Sequence, residues 1–325
     1  MDMRPQLLRA RRYIVPIAGR VLPYLPESSS RTALAQTLRV CPRLWGWSKE
    51  SDRRRFSREA YGRAFPHEDA CEFVTQLVRM RADALATSIT YMARARAGLD
   101  CTLVTPCTLD SPQGVPCIVT YLHYAIDPLV QLTLLARNPR RDLRWVVFPT
   151  QPNEPLRWEG ERALYLAGGV PNSIADRWLS VTSPSWMIEA LAHVKRGGSI
   201  LLALDTPLES RRAPTASLQV GRAKMPVSPA IASLAAAGRA QLLFVWPEQG
   251  LGNTWNVRCE VFLELAALVA AASDWIEKHP LHWAGWPYMA WRLQSGEMRR
   301  IAQRMEHTGG IARSQTRSTT SRSSM

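Results

Sequence analysis

The spacing of apolar and polar residues divides the chain into two textures. From about residue 30 to 98 apolar residues recur at three and four spacing, in "SRTALAQTLRVCPRLWGW" and then in "DACEFVTQLVRMRADALATSITYMARARAG". That period predicts amphipathic helices. After Gly98 short runs rich in Val, Ile and Leu alternate with helical segments and turn residues: "VPCIVTYL", "LRWVVFP", "RALYLA", "GSILLALD", "SLQV", "QLLFVW" and "WNVRCEVF". Strands alternating with helices predict an α/β fold whose central, mostly parallel sheet is flanked by helices. Unbroken apolar strands such as 200–204 predict burial on both faces.

The expected organisation is a basic amphipathic segment over 1–25, one α/β unit over 26–300 and a basic tail over 306–325. Within the α/β unit, 30–98 is helical and 99–292 contains the sheet. No repeat of fixed period occurs, and neither G-x-G-x-x-G nor G-x-x-x-x-G-K-[ST] is present, so a phosphate-cradling loop of those kinds is not expected.

A membrane-spanning helix needs about 20 mostly apolar residues. The longest apolar stretches are "IASLAAAGRAQLLFVW", broken by Gly238 and Arg239, and "VFLELAALVAAASDWI", which carries Glu264 and Asp274. Both predict buried elements of a globular core. The apolar share of 46% is that of a globular protein. The N-terminus lacks an uninterrupted apolar stretch, so no cleavable signal is expected. The six cysteines (41, 71, 101, 107, 117 and 259) include no C-x-x-C pair. Free thiols in a reducing compartment are expected in place of a disulfide frame or a zinc site.

Charge changes the picture. Forty-one Lys and Arg against 27 Asp and Glu leave a net +14, which favours an anionic partner. After Glu306 the tail contains arginine but no acid and almost nothing apolar, a composition expected to be disordered. The N-terminus mixes Arg4, Arg9, Arg11, Arg12 and Arg20 with Leu7, Leu8, Tyr13, Ile14, Ile17, Val21 and Leu22. Such a segment either lies on an anionic bilayer or packs as a solvated basic helix on its own domain.

In parallel α/β sheets ligands collect beyond the carboxyl ends of the strands. Two strand ends carry candidate chemistry: His123 after "VPCIVTYL", and Asp205 after "GSILLAL". Asp127 follows His123 by four positions and directly precedes Pro128. It therefore reads as the N-cap of a helix "PLVQLTLLAR", and also as a carboxylate delivered beside the histidine loop. Asp205 reads either as an acid supporting the histidine or as a turn residue.

Four blocks in order carry a resemblance: "VTYLHYAIDPLVQL", "ALAHVKRGGSILLALD", "SLQVGRAKMPVSPAIASLA" and "DWIEKHPLHWAGWPYMAWR". From about 100 to 292 the chain resembles the bacterial lipid A biosynthesis (lauroyl/myristoyl) acyltransferases. That family is related more distantly to the glycerolipid acyltransferases, which share an H-x4-D/E motif. Here Tyr124, Ala125 and Ile126 alone separate His123 from Asp127, giving H-x3-D and marking a divergent member.

The resemblance implies a glycerolipid-acyltransferase-like fold and transfer of a fatty acyl group from acyl carrier protein, or coenzyme A, to a hydroxyl of a lipid or small amphiphile. It makes His123 and Asp127 the catalytic pair, with Asp205 the alternative acid, and implies no metal or tightly bound cofactor. Arg222 and Lys224, after the Gly221 turn, are either phosphate or carrier contacts or solvated surface. Trp283, Trp286 and Trp291 either line an acyl channel or membrane interface or pack the core. The +14 charge suits both an acidic carrier and an anionic bilayer, and the resemblance implies a cytoplasmic protein, peripheral at the inner membrane. Two alternatives stand beside the enzyme: a catalytically degenerate relative that binds acyl carrier protein or lipid for a partner enzyme, and a basic nucleic-acid-binding protein. The latter has no recognisable helix-turn-helix, zinc or RNA-binding motif behind it.

Overall fold

All five residues of β2 (Cys117–Tyr121) are buried, as are all five of β5 (Ser199–Ala203). Successive strand residues point to opposite faces, so both faces of the sheet are covered here, as the unbroken apolar runs predict. The computed structural model describes residues 21–42, 52–99, 101–105, 109, 115–126, 130–131, 134, 142–147, 178–180, 185–206, 216–250, 254–287 and 289–290. The remaining strands are β1 (Val104–Thr105), β3 (Leu143–Val147), β4 (Trp178–Ser180), β6 (Ser217–Val220), β7 (Ala223–Pro226), β8 (Gln241–Gln249) and β9 (Trp255–Phe262).

Seven of these form one sheet in the order β1-β9-β8-β2-β5-β3-β4. Neighbours run parallel except for the antiparallel pair β8–β9. The fold is thus α/β with a mostly parallel sheet flanked by helices. In the centre, β2 pairs with β5 in the register Tyr121↔Ala203 and with β8 in the register Tyr121↔Val245. The side chain of Thr120, fully buried, donates to the Leu243 carbonyl, so this interior hydroxyl is satisfied.

Two details differ from the sequence expectation. "SLQV" forms β6, but β6 pairs with β7 as a separate antiparallel hairpin outside the main sheet. The tight turn at Gly221 returns the chain at once, which favours a hairpin over a crossover. Conversely β1 and β4, of two and three residues, are too short for a hydrophobic period to reveal. The "RALYLA" run lies outside the described residues.

The helices are α1 (Glu27–Val40), α2 (Asp52–Ala64), α3 (Ala70–Arg96), α4 (Trp186–Lys195), α5 (Pro229–Gly238) and α6 (Leu265–Lys278). "IASLAAAGRAQLLFVW" splits where predicted, with Arg239 in the left-handed region ending α5 before β8 begins. Ser228 caps α5 by accepting from the Ala230 N–H, with Pro229 at the first helical position, a combination that pre-sets a helix start. Helix α4 packs on β4, β5 and α5; α5 packs on β2; α6 packs on β6, β8 and β9. The N-terminal helices associate with one another, α1 and α2 both packing on α3. Asp69 starts α3 by accepting from the Cys71 and Glu72 N–H groups. Among the described residues no helix is long and apolar enough to cross a membrane. The described cysteines are thiols, not disulfides.

Candidate active site at the ends of β2 and β5

The parallel register fixes the site before any side chain is considered. Tyr121 is opposite Ala203, and the Leu204 N–H donates to the Tyr121 carbonyl at 2.7 Å. His123 and Asp205 each follow that pair by two residues, so both leave the carboxyl ends of adjacent central strands together. His123 Nδ1 lies 2.8 Å from Asp205 Oδ1. The His123 backbone N–H donates to both carboxylate oxygens, at 3.2 and 3.1 Å. The Trp283 indole N–H donates to Oδ2 at 2.7 Å.

This arrangement determines the protonation pattern. The Asp205 side chain is fully buried, whereas that of His123 is 24% exposed, so the acid sits behind the ring and the ring reaches outward. Burial is the strongest single influence on Asp205 and pushes its carboxyl up. The charge and Nδ1 bond of His123, the Trp283 indole and the His123 amide together outweigh it and hold Asp205 below the usual carboxylate range. An ionised Asp205 accepts, so Nδ1 carries the proton and the basic lone pair of neutral His123 is on Nε2.

Beneath the ring is a second buried polar group. The Tyr121 hydroxyl accepts from Gln131 Nε2 at 2.9 Å and from Trp145 Nε1 at 3.1 Å, and its ring centroid is 6.2 Å from that of His123. Two converging donors fix the Tyr121 ring beside the histidine.

The C-terminal segment clasps His123 from the other side. The Ala125 N–H donates to the His282 carbonyl at 2.8 Å, and the Ala284 N–H donates to the His123 carbonyl at 2.6 Å. Tyr124 and Trp283 thereby form an antiparallel bridge. Trp283 and Trp286 are fully buried, their ring centroids 4.7 Å apart. Trp286 is further enclosed by the rings of Tyr61, Phe65 and Phe73 and donates to the Pro280 carbonyl. Both tryptophans therefore pack the core, and Trp283 also carries a polar contact to the site. Trp291 lies outside the described residues.

Of the residues singled out from sequence, the structure brings together His123 and Asp205. Asp127 lies outside the described residues; beyond it Val130, Gln131 and Leu134 are helical and buried. Arg222 and Lys224 are exposed on the β6–β7 hairpin, bonded to neither His123 nor Asp205. The Arg222 guanidinium is 3.4 Å from His67 Nε2, and its backbone N–H donates to the Ala64 carbonyl. Among the described residues no cluster of three or more His, Cys, Asp or Glu side chains is arranged to hold a metal ion.

The role of Trp283 as donor to Asp205 had no sequence signal. The two residues are 78 positions apart, and no local pattern links a strand-end acid to a tryptophan in a later segment. No protein-family model matches the chain, and no curated protein matches it significantly.

Proposed function

We propose that the protein is an acyltransferase that moves a fatty acyl group from an acyl carrier protein or coenzyme A thioester to a hydroxyl of a lipid or small amphiphile. The observation that supports this best is the His123 Nδ1–Asp205 Oδ1 contact of 2.8 Å at the ends of two central parallel strands. A histidine oriented by a buried acid is the arrangement a hydroxyl nucleophile needs from its base. The order of sequence blocks around it, similar to that of the lipid A acyltransferases, supplies the choice of reaction and of a glycerolipid-acyltransferase-like fold.

In this reading His123 Nε2 takes the proton of the acceptor hydroxyl as its oxygen attacks the thioester carbonyl carbon. The carbonyl π pair moves to oxygen and gives a tetrahedral oxyanion. Collapse re-forms the carbonyl and breaks the carbon–sulfur bond, and the departing thiolate takes the proton from the His123 imidazolium. Asp205 keeps the ring in the productive tautomer and stabilises the imidazolium while it lasts. No proton needs to pass to the acid.

The charge balance supports the partners proposed: a net +14 attracts an acidic carrier and the anionic face of a bilayer, on which the segment over 1–25 would rest as a peripheral contact at the inner membrane. Salt should release such a contact, because exposed charges are screened over about 8 Å at physiological ionic strength.

The test is acyl transfer by purified protein from an acyl carrier protein thioester, or acyl coenzyme A, to hydroxyl acceptors in anionic vesicles. His123→Ala should lower the rate by about 10²–10⁴-fold, the usual worth of a general base, with the melting transition retained. A native protein that binds acyl carrier protein but transfers nothing would favour the degenerate relative.

A further inference from the structure

We infer that Trp283 is a positioning residue for the His123–Asp205 pair, its indole N–H holding one carboxylate oxygen so that the other is presented to the histidine ring. The role in acyl transfer rests on the function proposed above; the coupling between the three side chains does not.

The acid has two oxygens and is sealed from solvent. Oδ1 accepts from His123 Nδ1 and the His123 amide; Oδ2 accepts from the same amide at 3.1 Å and from Trp283 at 2.7 Å. Without the indole, Oδ2 would keep only the longer amide bond, in a site with Asp205 fully buried, and a buried oxyanion short of donors is costly. The carboxylate would then be drawn round towards the ring.

An indole N–H is a donor only and holds its proton at all working pH values. Trp283 therefore takes no part in proton transfer. What it does is fix the carboxylate plane and draw off part of the negative charge that would otherwise face the imidazolium. The same segment holds His123 itself, through the Ala284 N–H to the His123 carbonyl and the Tyr124–Trp283 bridge. Acid and ring are thus set by one element. The indole's seat depends on Gly285, since a Cβ there would stand 2.3–2.5 Å from three atoms of the Trp283 ring.

The direction of the effect is specific. Removing the donor leaves more negative charge facing His123, which stabilises its protonated form. In Trp283→Phe, read by NMR of the His123 ring protons in the full chain, the titration midpoint should rise by about half a unit or more, and the pH–rate profile for acyl transfer should move upward with it. Trp286→Phe is the control. It removes the indole N–H that bonds the Pro280 carbonyl in the same aromatic cluster, and should leave the His123 midpoint in place. An unchanged midpoint in Trp283→Phe, or an equal shift in both variants, overturns the inference. If Trp283→Phe does not fold, the native protein still decides. The Trp283 indole N–H resonance should move with the His123 midpoint, and a resonance flat through that titration overturns it. Coupling without acyl transfer by native protein would remove the proposed function and leave this inference standing.

Discussion

His123 and Asp205, 82 residues apart, each stand two positions beyond the in-register pair Tyr121↔Ala203. The equal offset is why the imidazole and the carboxylate meet. Parallel neighbours end on the same side of the sheet, and a residue at the same step past each strand emerges beside its counterpart. The acid buried behind the ring then needs no long loop to bring it there.

Asp205→Asn should therefore damage both the fold and the reaction. Asp205 accepts from three N–H groups, those of the Trp283 indole and of the His123 ring and amide. An asparagine offers one oxygen and turns an NH₂ towards donors it cannot accept from. Leaving buried donors unsatisfied costs about 1–3 kcal/mol, and the amide favours the wrong imidazole tautomer. A lower melting transition with acyl transfer reduced by at least about 10²-fold is expected. Asp127→Asn is the comparison, because asparagine caps a helix about as well as aspartate. If Asp127 supplies the carboxylate to His123, its asparagine variant will be the more severely impaired in transfer, and melts with initial rates on both variants decide between the acids.

The α/β class, the burial of β2 and β5, and the break at Gly238 and Arg239 were all legible in the sequence, because apolar period and turn residues are local signals. His123 and Asp205 were legible as strand-end residues for the same reason. Their pairing stood as only one of two readings of Asp205, since it depends on β5 being the neighbour of β2, and strand order leaves no mark in any window of the sequence. The H-x3-D spacing points to Asp127, which is near in sequence and lies outside the described residues, whereas Asp205, which bonds the His123 ring, comes from the next strand. Trp283 was similarly opaque: a buried indole reads as packing until its donor is placed against an acid.

Two of the close-packed glycines, Gly198 and Gly285, separate a structural loss from a functional one. A Cβ on Gly198 would lie 2.3 Å from His193 Nε2, the atom that donates to the Asp142 carbonyl at 2.8 Å. A Cβ on Gly285 would strike the Trp283 indole at a similar distance. Forcing an atom into either place should cost about 1–3 kcal/mol. Gly198→Ala should lower the melting transition and leave the His123 titration in place. Gly285→Ala should lower the transition and also shift the His123 midpoint, because the ring it displaces is the one bonded to Asp205. Calorimetry and histidine NMR on the two variants check this, and equal NMR behaviour would contradict it.

Stability should fall as pH drops from about 6.5 to about 4, the window set by His282. The ring lies between those of Trp255 and His279, at centroid distances of 5.1 and 5.7 Å. Burial first, and neighbouring His279 second, push its pKa down to about 4. The unfolded chain, with an ordinary histidine, binds more protons than the folded one throughout that window. Stability therefore rises with pH there: it is full above the unfolded value, declines as pH falls and levels off below the folded one. The loss from His282 is at most roughly 3 kcal/mol. His279 and His193 are also held down, chiefly by burial, and add in the same direction. Asp205 acts lower in the scale: its depressed carboxyl contributes stability above the ordinary carboxylate range and loses it as pH falls through the folded value. The His282 carbonyl also accepts from the Ala125 N–H, so the residue that carries this ring is one of those anchoring the segment with Trp283. Urea unfolding at a series of pH values should show a shallower slope between 4 and 6.5 in His282→Gln than in the native chain. An identical slope in the two proteins would assign the acid sensitivity to other groups.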